Sequence, residues 1–207
     1  MSVAASEQTR LTREDWLDAG LELLTGAGVE RVKITTLADR LGSSRSSFYW
    51  FFANRQALLD ALLQAWDARN TRGIVRQAGL PAATITEAVC NVFRCWVDPG
   101  LFSPRLDFAV REWARRSQAV HRVVEAADAA RVEALAAMFR RHDYAPGEAF
   151  IRARVLYYMQ IGYYAIDLKE TLEDRLALVP DYLRSFTGRE PTEAEIAAFS
   201  RFARAQV

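Results

Sequence analysis

The chain has 207 residues, of which 51% are apolar and 26% charged, with ten glycines and six prolines. That length holds one large domain or a small and a medium one, and the composition excludes a disordered or collagen-like chain. A formal net charge of +1 does not by itself mark a nucleic-acid partner, so the distribution of charge has to be read instead.

No charged-then-apolar leader with a small-residue cleavage site opens the sequence, and the protein is expected to be cytoplasmic. The longest nearly apolar run, Val155 to Ile166, is interrupted by Gln160 and falls short of the roughly 20 residues that span a bilayer, so no membrane partner is expected. Cys90 and Cys95 lie in a helical pattern at a spacing that points them in different directions, which argues against a disulfide or a metal site. His121 and His142 stand apart beside arginines and read as surface or cap residues. A Gly-rich phosphate loop, a carboxylate pair and a nucleophile motif are all lacking, so neither catalysis nor a metal or cofactor is expected.

In chain order, residues 1–9 show no periodicity and are expected to form a flexible tail. Thr12 is a good helix N-cap, followed by Glu14 and Asp15, whose charges suit the positive end of a helix dipole. Trp16, Leu17, Ala19, Gly20, Leu21, Leu23 and Leu24 then form an apolar stripe that Gly26 and Gly28 end. A short helix is predicted from about Thr35 to Leu41, closed by Gly42, a residue that tolerates positive φ. Ser43 to Phe52, SSRSSFYWFF, reads as the next helix. A turn of about 100° per residue prevents five consecutive aromatics from sharing one buried face. Phe48 and Phe52 fall together with Phe51 beside them. The opposite side carries Ser46, Tyr49 and Trp50, with Arg45 and Ser47 at its margins, a contact surface rather than a solvated one. Asn54 caps a fourth helix, whose inward residues Leu58, Leu59, Leu62, Leu63 and Trp66 run toward Gly73.

The span Arg31 to Arg55 holds five cations (Arg31, Lys33, Arg40, Arg45, Arg55) against one acid, Asp39, whereas the preceding helix carries Glu14, Asp15, Asp18 and Glu22. Two short helices joined at a glycine turn, with the positive charge on them and the acids behind, outline a helix-turn-helix. Beyond Gly73, a linker with Gly79 and Pro81 leads to a region that is helical throughout. Helices are predicted at Thr84 to Val97, Pro104 to Ser117, Ala119 to Arg141 and Pro146 to Lys169. They are followed by Leu172 to Phe186 with a kink at Pro180, and by a last helix opened by a Thr192/Glu195 capping box. The fold class is all-α, an N-terminal three-helix DNA-binding domain followed by a larger helical domain for ligand binding and dimerisation. The expected division is a helix-turn-helix at 10–55, a connecting helix and linker at 56–80, and the helical domain at 81–207.

Residues 12 to 63 resemble the DNA-binding domain of the TetR family of transcriptional regulators. The resemblance rests on Leu17, Ala19, Leu21 and Leu23 before Gly28, on Leu37-Ala38 before Gly42, on Tyr49 to Phe52, and on Asn54-Arg55 with Leu58. It covers about a quarter of the chain. Lys33, Ser43 and Ala53 depart from the family's usual threonine, valine and proline. With Lys33 at the cap position, Thr35 becomes the candidate to satisfy the free amides of the second helix. The resemblance implies that Ser44, Arg45, Ser46, Ser47, Tyr49 and Trp50 enter the major groove while the flanking helices hold the backbone. Arg45 would then make a bidentate contact to guanine at about 1–3 kcal/mol of discrimination. Tyr49, Lys33, Thr35, Asn54 and Arg55 would serve the phosphates. Packing against neighbouring helices is the alternative for Tyr49 and Trp50.

The stretch Val155 to Ile166 is apolar around the helix and so needs cover on more than one side, with a pocket on one face and a second subunit on the other. TetR-family proteins dimerise through their last two major helices, which makes Tyr158, Gly162, Ile166, Leu176, Val179, Leu183 and Phe186 the dimer candidates. The family also implies a ligand pocket, for which Phe93, Trp96, Phe108, Arg111, Trp113, Tyr157, Gln160 and Tyr164 are the candidates, although aromatics at helical spacing also serve as plain core. The expected protein is a homodimeric repressor of a palindromic double-stranded DNA operator, released by a small apolar effector and bound at the bacterial nucleoid when on DNA. The competing readings are a constitutive dimeric DNA-binding protein and a helical enzyme.

Overall fold

The structure, a computed structural model, describes residues 11–206; the expected tail at residues 1–9 lies outside them. Eleven α-helices and no strand are found among the described residues. The first, α1 (Arg13–Ala27), opens with a complete capping box. The Asp15 amide donates to Thr12 Oγ1 at 3.2 Å and the Thr12 amide donates to the Asp15 carboxylate at 2.7 Å. Gly26 lies inside this helix, and Gly28, with φ +81°, closes it. A 3-10 turn at Val29–Arg31 leads to α2 (Ile34–Arg40). Lys33 occupies its N-cap position without a side-chain bond, and Thr35 sits one residue inside the helix, so the expected substitution of Thr35 for the cap does not occur. Gly42, at φ +59°, turns the chain into α3 (Arg45–Phe48), capped by Ser44 Oγ accepting from the Ser47 amide at 3.3 Å.

The aromatic segment is a shorter helix than its pattern predicts. After Phe48 the backbone tightens: Trp50 N bonds to Ser47 O and Phe51 N to Phe48 O, both i→i+3, before Phe52 N returns to Phe48 O. The Asn54 side chain then accepts from the Ala57 amide at 2.9 Å and starts α4 (Arg55–Trp66). The helical path does not stop near Gly73. It passes through a π-helical turn at Asp67–Thr71 into α5 (Arg72–Gly79), and Gly73 faces Leu101 so closely that a Cβ would lie 2.1 Å from the Leu101 carbonyl oxygen.

The remaining helices are α6 (Ile85–Phe93), α7 (Pro104–Ala114), α8 (Gln118–Arg141), α9 (Pro146–Ile166), α10 (Leu172–Thr187) and α11 (Glu193–Arg204). Asp167 takes the left-handed conformation (φ 56°) and ends α9 before the expected Lys169, while α10 runs unbroken through Pro180. The Thr192/Glu195 capping box is present, and Thr84 and Thr86 of the α6 start also donate to the Glu195 carboxylate.

The apolar interior has two parts. One fills the space between α5, α6, α9, α10, α11 and the C-terminal half of α8. The other is built on Trp16, Leu37, Phe48, Leu58, Leu62 and Trp66, but it continues through Leu106, Val110 and Trp113 of α7 to Val120 and Val124 of α8. The core of the first four helices is therefore closed by α7 and α8, and it crosses the division expected from sequence order.

Candidate functional site

The aromatic run separates as helical geometry requires. Phe48 and Phe52 are buried and stack at 5.5 Å, Phe48 also meets Trp16 edge-on at 5.4 Å, and Phe51 is half-buried. Trp50 is 85% exposed and Tyr49 is 57% exposed, so neither packs into the core; Tyr49 touches only the edge of Phe48, at 5.5 Å. Ser44, Arg45 and Ser46 are exposed beside them and Ser47 is half-buried, with the Ser44 and Ser46 hydroxyls sharing a 2.7 Å hydrogen bond.

The five cations of this region differ in what holds them. Arg40 pairs with Glu22 of α1. Arg55 is half-buried and turned toward its own domain. Its Nε donates to Val32 O at 2.6 Å and its Nη2 to Val29 O at 2.8 Å, fastening the start of α4 to the turn before α2 and committing two of its donors to its own domain. Arg31, Lys33 and Arg45 are exposed, as is Thr35. Asn54 is occupied as the α4 cap.

The eight residues expected to line one pocket divide among three places. Phe93, Trp96 and Gln160 line a cleft between α6, α9, α10 and α11, of about 550 Å³ of non-atom space including its open mouth. Tyr164 lies beside it, stacked on Phe102 at 6.0 Å. Phe108 and Trp113 instead line a groove where α7 meets the end of α1, and Trp113 belongs to the N-terminal core.

Arg111 and Tyr157 belong to a buried ion network rather than to the pocket. Arg111 Nε donates to Asp107 at 2.8 Å, and its two terminal nitrogens donate to Asp128 at 2.9 and 2.6 Å. The Tyr157 hydroxyl donates to Asp128 at 2.6 Å and accepts from Arg131 Nη1 at 2.9 Å. Arg131, fully buried, also donates to Asp107 Oδ1 at 3.1 Å and to Thr71 Oγ1, with its guanidinium 5.0 Å from the Trp66 ring. Trp66 Nε1 and Asn70 Nδ2 complete the shell of Asp107 Oδ1 at 2.8 and 3.2 Å. Burial opposes the charge on Asp107, but Arg131 and Arg111 outweigh it and hold the carboxyl below its usual range. Burial pushes the Tyr157 hydroxyl up. Two carboxylates and two guanidiniums compensate one another, the condition under which buried charge is tolerated. The network was not readable in advance, since its members come from α4, the π-helical turn, α7, α8 and α9.

The residues expected at a subunit contact also divide. Leu176, Val179, Leu183 and Phe186 of α10 are all buried within the chain, and Leu176, Val179 and Phe186 line the cleft, so they cannot present a surface to a partner. One apolar stripe on α10 has one destination, and here it is the chain's own core. Tyr158 and Ile166 are exposed, and a Cβ on half-buried Gly162 would meet open space. The outward side of α9 adds Phe150, Ile151 and Val155, which periodicity alone did not single out.

Among the described residues no His/Cys/Asp/Glu group could hold a metal ion, and no helix is long and apolar enough to cross a membrane. Cys90 and Cys95 are free and buried, and burial pushes both thiols up to about 12.

The glycine turn at Gly42, with small exposed helices on one side and an acidic helix behind them, defines an all-α protein with an N-terminal helix-turn-helix. Residues 17–62 match the family described as bacterial regulatory proteins, tetR family. It is similar to the class C tetracycline repressor protein of Escherichia coli, 45% identical over 56 residues, which are 27% of this chain and 26% of that protein. It is also similar to the class G tetracycline repressor protein of Vibrio anguillarum, 40% identical over 67 residues, 32% of each chain. The chain thus matches about a quarter to a third of the length of these curated relatives. Solved structures extend the likeness in fold to the whole chain. Salmonella enterica GusR has a TM-score of 0.58 at 13% identity and covers 94% of both chains. Mycobacterium smegmatis AmtR has a TM-score of 0.51 at 21% identity and covers 98% of both.

Proposed function

We propose that the protein is a homodimeric transcriptional repressor that binds a palindromic DNA operator through Ser44 to Trp50 and releases it when a small molecule enters the cleft between α6, α9, α10 and α11. The observation that carries the DNA part is the outward face of α3. A tryptophan and a tyrosine exposed beside Arg45 and three serines have no role in the fold, whereas Phe48 and Phe52 already anchor the segment. Arg45 reads a base edge, Tyr49 and Lys33 hold phosphates, and Arg55 contributes mainly by keeping α4 against the turn before α2. The exposed apolar side of α9 is the surface for a second copy.

Release is a population shift. Tyr157, in the network that holds Trp66 and Thr71, is one turn before Gln160 in the cleft wall, so α9 lines the cleft and is linked through Arg131 to the end of α4. A ligand that moves α9 biases the separation of two recognition helices away from the roughly 34–36 Å of successive major grooves. A coupling of about 1–3 kcal/mol gives a change in affinity of roughly 5–150-fold. The site of action is the cytoplasm, at the nucleoid while DNA is bound.

Selection of bound sequences from a random DNA pool tests DNA binding and symmetry together. Enrichment of a palindrome is expected, and no enrichment, or an asymmetric site, would overturn the reading. A ligand that raises thermal stability without releasing the selected site would leave a constitutive DNA-binding protein in its place.

A further inference from the structure

We propose that the cleft takes a flat apolar molecule bearing one carboxylate, with its apolar body among the aromatic walls and its carboxylate on Arg175. This rests on the reading of the cleft as the effector site and specifies the chemistry of its occupant.

The walls select the body. Phe93 lies 5.0 Å from Trp96 and 5.8 Å from Phe199 between ring centroids, and Tyr182 stacks on Phe186 at 5.8 Å. These packed rings give the cleft a largely aromatic lining, the kind of wall that receives an apolar ligand body.

The polar groups select the charge. Arg175 of α10 is half-buried in the cleft wall, 5.7 Å from the Tyr163 ring centroid, and its one protein hydrogen bond is a long 3.5 Å approach of Nη2 to Trp96 O. No carboxylate among the described residues comes within 4.0 Å of it, in contrast to Arg111 and Arg131, each of which has an aspartate. A guanidinium facing an apolar slot without a counter-ion is matched by a carboxylate, which it binds with paired charge-assisted hydrogen bonds. Gln160, 6% exposed, lines the same cleft, and its Nε2 is near the Tyr164 hydroxyl but makes no well-formed hydrogen bond. A buried amide left in this state carries a desolvation cost that an acceptor on the ligand recovers. The Tyr164 hydroxyl, one turn along α9, is buried and also lacks a well-formed bond. Burial pushes that hydroxyl up while Arg175 and Gln160 oppose the shift, as expected if all three polar groups share one neighbourhood.

Glu170 is the other charge at the cleft. It is exposed and accepts the Tyr163 hydroxyl, so solvent and a hydrogen bond weaken its field where Arg175 is partly shielded. It disfavours an anion at its own lip and so directs the carboxylate to the Arg175 side.

Isothermal titration of the full chain with 2-naphthoate and 4-phenylbutyrate, each against its primary amide, tests the proposal. The acids are expected to bind at least ten-fold more tightly than the amides. Arg175→Gln should erase that difference, Arg175→Lys should keep most of it, and Glu170→Gln should strengthen the acids alone. Urea midpoints of the Arg175 variants show whether the fold is kept, and Arg175→Met, which keeps an apolar stem without the charge and should also erase the difference, carries the test if the Gln variant unfolds. Equal binding of acids and amides, or a preference that survives Arg175→Gln, overturns the carboxylate and leaves the cleft reading standing. Binding of no probe overturns the carboxylate as well. The cleft reading then falls only if no neutral apolar compound releases selected operator DNA.

Discussion

The indole Nε1 of Trp66 donates a 2.8 Å hydrogen bond to Oδ1 of Asp107, and both groups are buried, so the end of α4 is tied to the first turn of α7 out of contact with water. Asp107 is also the counter-ion of Arg131, whose guanidinium lies against the same indole. One carboxylate thus joins the end of α4 to α7 and, through Arg131, to α8.

Asp107→Asn keeps the shape of the side chain but leaves a buried guanidinium short of its partner. Loss of one member of a buried pair costs about 3–5 kcal/mol, and urea unfolding at pH 7 should show a fall of that order. The pH dependence has a definite sign. The Asp107 carboxyl is held below its ordinary value of 3.8, so the unfolded chain binds more protons as acid is added. The stabilisation is complete above that ordinary value and is lost as pH falls through the lower folded value. The wild type should therefore lose stability steeply below about pH 4, and Asp107→Asn should show a flatter acid limb.

Arg55 and Lys33 are separable by where their charges point. Arg55→Ala strands the Val29 and Val32 carbonyls and should lower stability by about 2 kcal/mol, with weaker DNA binding following from the loosened domain. Lys33→Ala removes an exposed charge and should change stability by no more than about 0.5 kcal/mol while reducing the salt slope of binding by about 0.9. Urea melts read beside fluorescence anisotropy at several salt concentrations distinguish the two; identical behaviour would refute the assignment.

What the sequence made readable was local. The Thr12/Asp15, Asn54 and Thr192/Glu195 caps, the Gly42 turn and the division of the aromatic run each depend on residues a few positions apart. The π-helical turn at Asp67–Thr71 was not readable because its reasons are remote: Asn70 bonds to Ser103, and Thr71 meets Arg131. Arg111 and Tyr157 are pocket candidates only by the family resemblance, and their partner Asp128, on another helix, decides their role. The stripe Leu176, Val179, Leu183, Phe186 shows how far periodicity reaches. It identifies a face that is covered, and it cannot tell whether the cover comes from the same chain or a second one.

Phe48 and Trp50 are two residues apart and should respond oppositely to truncation. Phe48→Ala opens a cavity against Trp16 and Phe52 and should cost about 3–5 kcal/mol in urea unfolding. Trp50→Ala removes a side chain that is 85% exposed, so stability should stay within about 0.5 kcal/mol while affinity for the selected operator falls. A destabilised Trp50→Ala protein, or one that binds DNA as before, would remove Trp50 from the interface.

The exposed side of α9 provides the last contrast. Ile151 and Val155 are 57% and 52% exposed, and Phe150 and Tyr158 are each 45% exposed, with the Arg154 guanidinium over the rings of both. Val155→Arg places a charge on this surface at a side chain that is half exposed and not a member of the buried core, so the monomer should remain folded. If the surface receives a second copy, sedimentation at micromolar concentration should shift from dimer to monomer, and operator affinity should fall because two half-sites are no longer held together. Leu183→Ala acts on the inward side, where the side chain is fully buried, and should cost about 2–5 kcal/mol of stability without a direct effect on assembly. A Val155→Arg protein that sediments as the wild type does, whether as dimer or monomer, would show that copies do not meet across α9.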